Sequence, residues 1–358
     1  MKKVLFATTA LVASAGFASA DVALSGSAQM GVQGGSGDAV TQFVQDIDVT
    51  FTLSGETPGG ITFGAAVDLD EDAGAVGTDD AGVAIFISGD FGTLTMGDTD
   101  GGFDAGMQEV NIGSPGSIND DETTHAGYSG NAGLDGTFDG QILSYSYSVS
   151  GFTITGSIEQ DDGATIARPF NLPDDGTAAD GLEADEVFGI GASYAGSFGG
   201  GSYTVGAGYQ MTQDSHAAVA GDQELSIVGV SATVALDNGL SAGINYSQID
   251  VDLGTVIAAA DRSFSGTHVA VGASYSFGDF AVHANYGEFD WDSNATVEDA
   301  TGFGLAASYD LGGGLSAHVG YGDSDIGSVN GVLTSTATSA TAARTDASTW
   351  SVGLNMSF

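Results

Sequence analysis

Residues 349–358 read TWSVGLNMSF, and this stretch decides the fold. With the two-residue period of an extended strand, Trp350, Val352, Leu354, Met356 and Phe358 share one face, and Ser351, Gly353, Asn355 and Ser357 share the other. An ordinary sheet turns its apolar face to a core. Here the opposite face is too small and too hydrophilic to close a dry interior, so the apolar face is read as pointing outward to hydrocarbon. The polar face then borders a water-filled lumen.

Working outward from this stretch, the same alternation recurs in sixteen segments, near 22–33, 42–54, 60–69, 81–88, 91–98, 139–149, 151–160, 186–196, 201–213, 222–236, 239–250, 264–276, 279–290, 299–310, 314–324 and 348–358. Segments of about ten residues, tilted as barrel strands are, cross an apolar band of about 25 Å. In 279–290, Phe280, Val282, Ala284 and Tyr286 oppose Ala281, His283, Asn285 and Gly287; in 314–324, Leu315, Ala317, Val319 and Tyr321 oppose Ser316, His318, Gly320 and Gly322. The connections sort by parity. Tight turns follow the even segments, such as SGF at 150–152, LDNG at 236–239 and FGDF at 277–280, whereas long acidic loops follow the odd ones, such as 98–138, 161–185 and 325–347. Short turns on one rim and long loops on the other suit a closed barrel inserted from one side of a membrane. Aromatic residues gather beside the short turns, as an interfacial girdle requires.

Composition narrows the class. Met1–Ala20 has a basic start, an apolar run and Ala18-Ser19-Ala20 before Asp21, the layout of a cleavable secretory signal, so the folded unit is expected at 21–358 as one domain. Beyond residue 20 the sequence carries 47 acidic residues against three basic ones, Arg168, Arg262 and Arg344, with no lysine. Such a charge repels nucleic-acid phosphates and anionic solutes and attracts cations. With no cysteine there is no disulfide framework and no thiol nucleophile. After the leader no stretch approaches the roughly 20 continuous apolar residues of a membrane helix. A bilayer is then crossed by strands, and a closed barrel satisfies their backbone groups.

Several stretches carry a resemblance: LSGSAQMGV at 24–32, SGDFGTLTMGD at 88–98, LSYSYSVSGFTITGSI at 143–158, AASYDLGGGLSAHVGY at 306–321 and the terminal Phe358. In this order, with loops sorted by parity, the chain resembles the general bacterial porins, most closely the Rhodobacter type. The resemblance implies an all-β, sixteen-stranded transmembrane antiparallel barrel with an infolded third outer loop, usually assembled as a homotrimer. It also implies a passive diffusion channel for small hydrophilic solutes and ions in the bacterial outer membrane, with the bilayer and lipopolysaccharide as partners.

The matching loop follows the fifth segment. Phe103, Met107, Val110 and Ile112 are spaced so that a helical turn pins them to the wall and turns Asp98, Asp100, Asp104 and Glu109 into the channel, the expected pore constriction. Porins of this kind commonly set basic residues opposite the acidic loop. Here the second segment instead offers Asp46 and Asp48, and the third Asp68, as pore-wall residues. A constriction of one sign is expected to prefer cations. No cofactor is required. The adjacent carboxylates Asp120, Asp121 and Glu122, or Asp70, Glu71 and Asp72, supply the hard oxygen donors that calcium takes. The five histidines, His125, His216, His268, His283 and His318, show no HExxH spacing and no GxSxG elbow accompanies them, so no enzyme is expected. The alternatives are a plugged, adhesive surface barrel and, further off, a barrel hydrolase using one of the inward histidines as a base.

Overall fold

The computed structural model describes residues 21–36, 40–70, 82–120, 122–136, 140–160, 186–214, 223–252, 263–292, 299–326 and 347–358. Met1–Ala20, Glu71, Asp72, Asp121, Arg168, His216, Arg262 and Arg344, singled out above, lie outside the described residues.

Among the described residues sixteen strands run in chain order: β1 (Asp21–Gly35), β2 (Gln42–Glu56), β3 (Thr62–Asp70), β4 (Val83–Gly89), β5 (Gly92–Gly97), β6 (Ile142–Val149), β7 (Phe152–Gln160), β8 (Glu186–Phe198), β9 (Gly201–Asp214), β10 (Gln223–Leu236), β11 (Leu240–Asp252), β12 (Ser263–Phe277), β13 (Phe280–Trp291), β14 (Ala300–Gly312), β15 (Leu315–Ile326) and β16 (Ala347–Ser357). Each pairs antiparallel with its sequence neighbours, and β16 returns to β1, closing the barrel. The closing seam runs from Ser27 opposite Ser357 to Gly35 opposite Thr349. Closure leaves no edge, so no row of backbone N–H and C=O groups faces lipid unpaired.

The two faces separate as the alternation requires. On β13, Phe280, Val282 and Tyr286 are exposed on the outside of the wall, whereas His283 and Asn285 are buried on the inside. On β16, Val352 is exposed outward and Ser351 buried inward. Near the outer rim the pattern exchanges phase. On β11 Ile249 and Val251 are buried inside the barrel, while Asp250 and Asp252 are exposed on its outside. Leu225 and Ile227 on β10, Phe264 on β12 and Trp291 on β13 are buried in the same way, in one apolar cluster. The exchange marks the level where the outer surface leaves hydrocarbon for water, above which acids are tolerated outside.

The short-turn rim is tight. Val149 pairs directly with Phe152, leaving Ser150 (φ 52°) and Gly151 (φ 85°) as a two-residue turn with both central residues left-handed. That turn's twist matches the strands it joins. Along this rim the rings touch in sequence: Phe152 with Tyr194 at 4.5 Å between centroids, Tyr275 stacked on Phe277 at 5.4 Å, Phe277 stacked on Phe280 at 5.6 Å, and Phe280 with Tyr309 at 4.7 Å. Strand lengths vary more than the uniform ten residues expected. The extremes are six residues in β5 and fifteen in β1, β2 and β12. β5 stops at Gly97, whose φ of 131° turns the chain out of the wall, and where a Cβ would stand 2.0 Å from the Val83 carbonyl. Only glycine fits that exit.

Candidate functional site

The segment between β5 and β6 leaves the wall at Gly97 and lies along the inside of the barrel. It opens with a short helix, α1 (Gly102–Gly106), and later makes a single 3₁₀ turn at Ile118–Asp120. Its contacts trace a circuit out along the wall and back. Gly102 N–H donates to Ser157 Oγ on β7 (2.7 Å), and Gln108 N–H to Ser231 Oγ on β10 (2.8 Å). Ser274 Oγ on β12 donates to the Ile112 carbonyl (2.7 Å), and Ile118 N–H donates to Ser351 Oγ on β16 (3.3 Å). On the return, Ala126 N–H donates to Ser324 Oγ on β15 (3.0 Å), and Leu134 N–H to Gln210 Oε1 on β9 (2.8 Å). Finally Gly136 and Gly140 N–H donate to the Glu159 carboxylate on β7 (2.9 and 3.2 Å). The orphan backbone donors of an irregular segment are thereby satisfied by wall side chains rather than by secondary structure.

Inward glycines give the segment its berth. A Cβ on Gly191 would come within 2.0 Å of the Gly102 carbonyl, one on Gly206 within 2.0 Å of the Gly106 carbonyl, one on Gly272 within 2.2 Å of the Val110 carbonyl, and one on Gly287 within 2.0 Å of the Gly127 carbonyl. Backbone thus lies directly on backbone from β8 to β13. Phe103 and Met107 add apolar anchorage in the cluster with Leu134, Val187 and Leu225, and Val110 packs with Tyr128 and Ala270. Phe103, at 2% exposure, and Val110, at 1%, are held by the wall as their spacing predicted, whereas Ile112 is half-buried.

Four histidines line the seam between segment and wall. His268 Nε2–H donates to the Gly127 carbonyl (2.9 Å) and His318 Nδ1–H to the Gly116 carbonyl (3.2 Å). His283 meets Asn111 and Ser274, and His125, on the segment itself, accepts from Gly127 N–H at Nδ1 (3.2 Å). The sequence suggested lone pore-wall histidines on β12, β13 and β15, but each of these side chains holds the inner segment. The signal available was the recurrence of histidine at inward positions of three neighbouring strands.

The carboxylates divide into two sets. Asp98 and Asp100 are exposed and Glu109 half-buried, whereas Asp104 on α1 is only 6% exposed. Asp104 thus departs from its expected place in the open channel, because α1 packs against β7, β8 and β9 through the turn that carries it. Across the lumen, β1–β5 stay uncovered by the segment's anchors except near the Ile118 turn. Their inward acids are the half-buried Asp48 and Asp68, with Ser27 Oγ donating to Asp48 (3.1 Å) and Thr50 Oγ1 to Asp68 (3.1 Å), and Asp46, which at 8% exposure is buried rather than open to the pore as expected. Burial raises the Asp135 carboxyl well above its ordinary value, although Gly101 N–H donates to Asp135 Oδ2 (2.8 Å) and opposes the shift. Asp135 also takes Gln210 Nε2–H (2.5 Å), so it ties the start of the segment to its end.

Of the carboxylates expected to hold calcium, Asp120 accepts from Ser117 N–H (2.9 Å) and Glu122, 1% exposed, accepts from Ser351 Oγ–H (2.9 Å) against the wall. Among the described residues no cluster of three His, Asp or Glu side chains has metal-binding geometry. Burial raises the Glu122 carboxyl and lowers His125 to about 4.

Residues 7–328 match the sequence profile described as Gram-negative porin. The chain belongs to the Gram-negative porin family. This porin is 30% identical over 314 residues to the porin of Rhodobacter capsulatus, covering 86% of this chain and 95% of that one. Its fold aligns with a porin structure refined at 1.8 Å, with a TM-score of 0.65, 26% identity, 94% of this chain and 100% of the other. An anion-selective porin from Comamonas acidovorans shares the fold at a TM-score of 0.61 and 13% identity, covering 95% of this chain and 100% of that one. The porin is therefore an outer-membrane β-barrel channel that passes small solutes, and its family points to a channel rather than an enzyme.

Proposed function

We propose that this porin is a passive, cation-preferring channel whose constriction lies between the inner segment and the wall of β1–β5. The carrying observation is that both sides of this gap present acids, Asp98, Asp100 and Glu109 on the segment and Asp48 and Asp68 on the wall, and that the described inward residues of β1–β5 include no lysine or arginine. A cation about 8 Å from one such carboxylate gains about 0.5 kcal/mol in water, and several carboxylates act together. Screening shortens this reach from about 10 Å at 0.1 M salt to about 3 Å at 1 M, so the preference is strongest in dilute salt. The fold itself is neutral on the sign of selectivity, since the Comamonas relative named as anion-selective shares it. The natural assembly in this reading is a homotrimer in contact with lipopolysaccharide, reached after removal of residues 1–20.

The test is the reversal potential of single channels in a tenfold gradient of potassium chloride. Neutralising Asp98, Asp100 and Glu109 together as Asn, Asn and Gln is expected to lower the cation-over-anion permeability ratio several-fold in dilute salt and to have little effect near 1 M. An unchanged reversal potential in dilute salt rejects the assignment of these three residues. A wild-type channel preferring chloride rejects the whole reading.

A further inference from the structure

On its return along the wall the inner segment turns at residues 125–128, where Tyr128 N–H donates to the His125 carbonyl (2.8 Å). Within this turn the His125 ring closes a second bond, accepting from Gly127 N–H at Nδ1 (3.2 Å). A backbone N–H can only donate, so Nδ1 carries no proton and the neutral ring holds its one N–H at Nε2. Both ends of the turn press on the wall. A Cβ on Gly302 would come within 2.6 Å of Nδ1, and one on Gly287 within 2.0 Å of the Gly127 carbonyl, which also accepts from His268 Nε2–H. At 4% exposure the ring has left water. Its Nε2 has no well-formed hydrogen bond in exchange, and neither has Oδ1 of Asn285, the amide acting on the ring.

We infer that the turn at 125–128 is an acid-released latch, freed from the wall into the passage when His125 takes a proton at Nδ1. That nitrogen is the one basic site on the neutral ring, and a proton placed there meets the Gly127 N–H head on. The turn then loses its inner bond, and a charged ring is left buried. The side chains acting on it are Asn285, His268 and His283, none of them a carboxylate. β13 and β14 are paired along both edges, so the turn is the part that moves, and the lumen is its open direction.

The surrounding groups decide the sign. His268 from β12 and His283 from β13 both repel a charged His125. β14 offers Gly302 and Gly304, and Asp323 and Asp325 of β15 share the outward face with Tyr321. On the segment, Asp120 is exposed, and Tyr128 stands edge-on to the ring at 6.4 Å with its hydroxyl on Glu109. Glu122, three residues earlier, opposes release: burial raises its carboxyl, so acid neutralises it in place and that end of the limb stays docked. In the released turn the His125 ring regains water and titrates near its ordinary 6.5, whereas burial keeps the held ring neutral down to about 4. Protons therefore favour release as pH falls through this window, by up to about 300-fold across it, and add nothing below it. The latch acts by position, so it is independent of the channel's ion preference.

The experiment uses the full-length porin, which contains no cysteine, with a nitroxide spin label on A126C within the turn. In detergent micelles the label is expected to gain mobility as pH falls from 6.5 to about 4. His125→Asn keeps an acceptor near the place of Nδ1 but cannot take the proton, and its label is expected to stay immobile over the same window. An immobile label in the protein with His125, or an equal change in both, overturns the inference. H125A lacks the acceptor at every pH, so at about pH 7.5 its label is expected to be as mobile as the His125 protein's is in acid. A label held as firmly there as with His125 refutes the role of the Nδ1 bond. The last arm is unit conductance in planar bilayers at about 1 M salt, where screening confines surface charge to about 3 Å. The wild type is expected to drop to a smaller conductance within the window and H125N to hold its value. A wild-type conductance that stays constant across the window overturns the narrowing of the passage.

Discussion

Replacing Gly287 by alanine tests whether the inner segment's berth is set by backbone on backbone. The added Cβ would stand 2.0 Å from the Gly127 carbonyl oxygen, and real Cβ atoms essentially never come under 3.0 Å, so one side must recede by about 1 Å. β13 is fixed on both edges by its pairing with β12 and β14, so the segment is the part that yields, moving away from the wall and into the lumen. Gly127 is not free to slide. His268 Nε2–H donates to its carbonyl at 2.9 Å and its own N–H donates to His125, so a shift of that size breaks at least the first bond. Overpacking of this kind costs about 1–3 kcal/mol and the lost hydrogen bond about 0.5–1.5 kcal/mol. Thermal denaturation in detergent and single-channel conductance read the two consequences, a lower transition and a smaller unit conductance. Gly156→Ala is the control, since its Cβ would find its nearest neighbour, the Gly189 carbonyl, at 3.9 Å. Should Gly287→Ala match both the control and the wild type, the segment does not rest on the glycine wall in solution.

Val352→Arg puts a charge on the outward face of β16, opposite Val319 and Val32, and is expected to cost about 2–4 kcal/mol of folding stability in lipid vesicles, measured by denaturant titration. A change within 0.5 kcal/mol would mean that this face does not meet hydrocarbon. Glu122→Gln probes a carboxyl raised by burial above its usual 4.5. Below that value both folded and unfolded chains hold the proton and nothing is lost. As pH rises past it the unfolded chain ionises first, which favours unfolding. The variant is therefore expected to melt with the wild type in acid and above it near neutrality, and a lower melting temperature at neutral pH refutes the neutral-carboxyl reading.

The barrel was legible in the sequence because lipid imposes one rule on every strand. The face of Val352 and Val319 must be apolar, and the face of Ser351 and His318 need not be. The sorting of loops by length was legible for a related reason, since two-residue turns such as Ser150-Gly151 leave no room for error in strand register. The outer ends of the strands read differently. Above the lipid level the rule reverses, so Ile249 and Val251 point inward where Asp250 and Asp252 point out, and the crossover after Tyr246 is the signal that marks it. The inner segment was half legible. The spacing of Phe103, Met107 and Val110 gave its anchors, yet Asp104, expected in open water, is buried because α1 turns it toward the wall. Inward glycines such as Gly206, Gly272 and Gly287 read only as residues too small to build a core. Their meaning is relational: each is small because a distant stretch of chain lies on it, and no local pattern records that. The histidines were hidden for the same reason, as a hydrogen bond from β13 to residue 111 spans 172 positions.

The seam between β1 and β16 brings the two ends of the folded sheet side by side, with Phe358 N–H donating to the Gly26 carbonyl at 2.9 Å. β1 and β16 stand at opposite ends of the strand order, so the barrel cannot zip shut until β16 has been made. The same adjacency makes the cylinder indifferent to where its thread begins: joining Asp21 to Phe358 by a short linker and cutting at an outer loop should rebuild the same wall from a permuted gene.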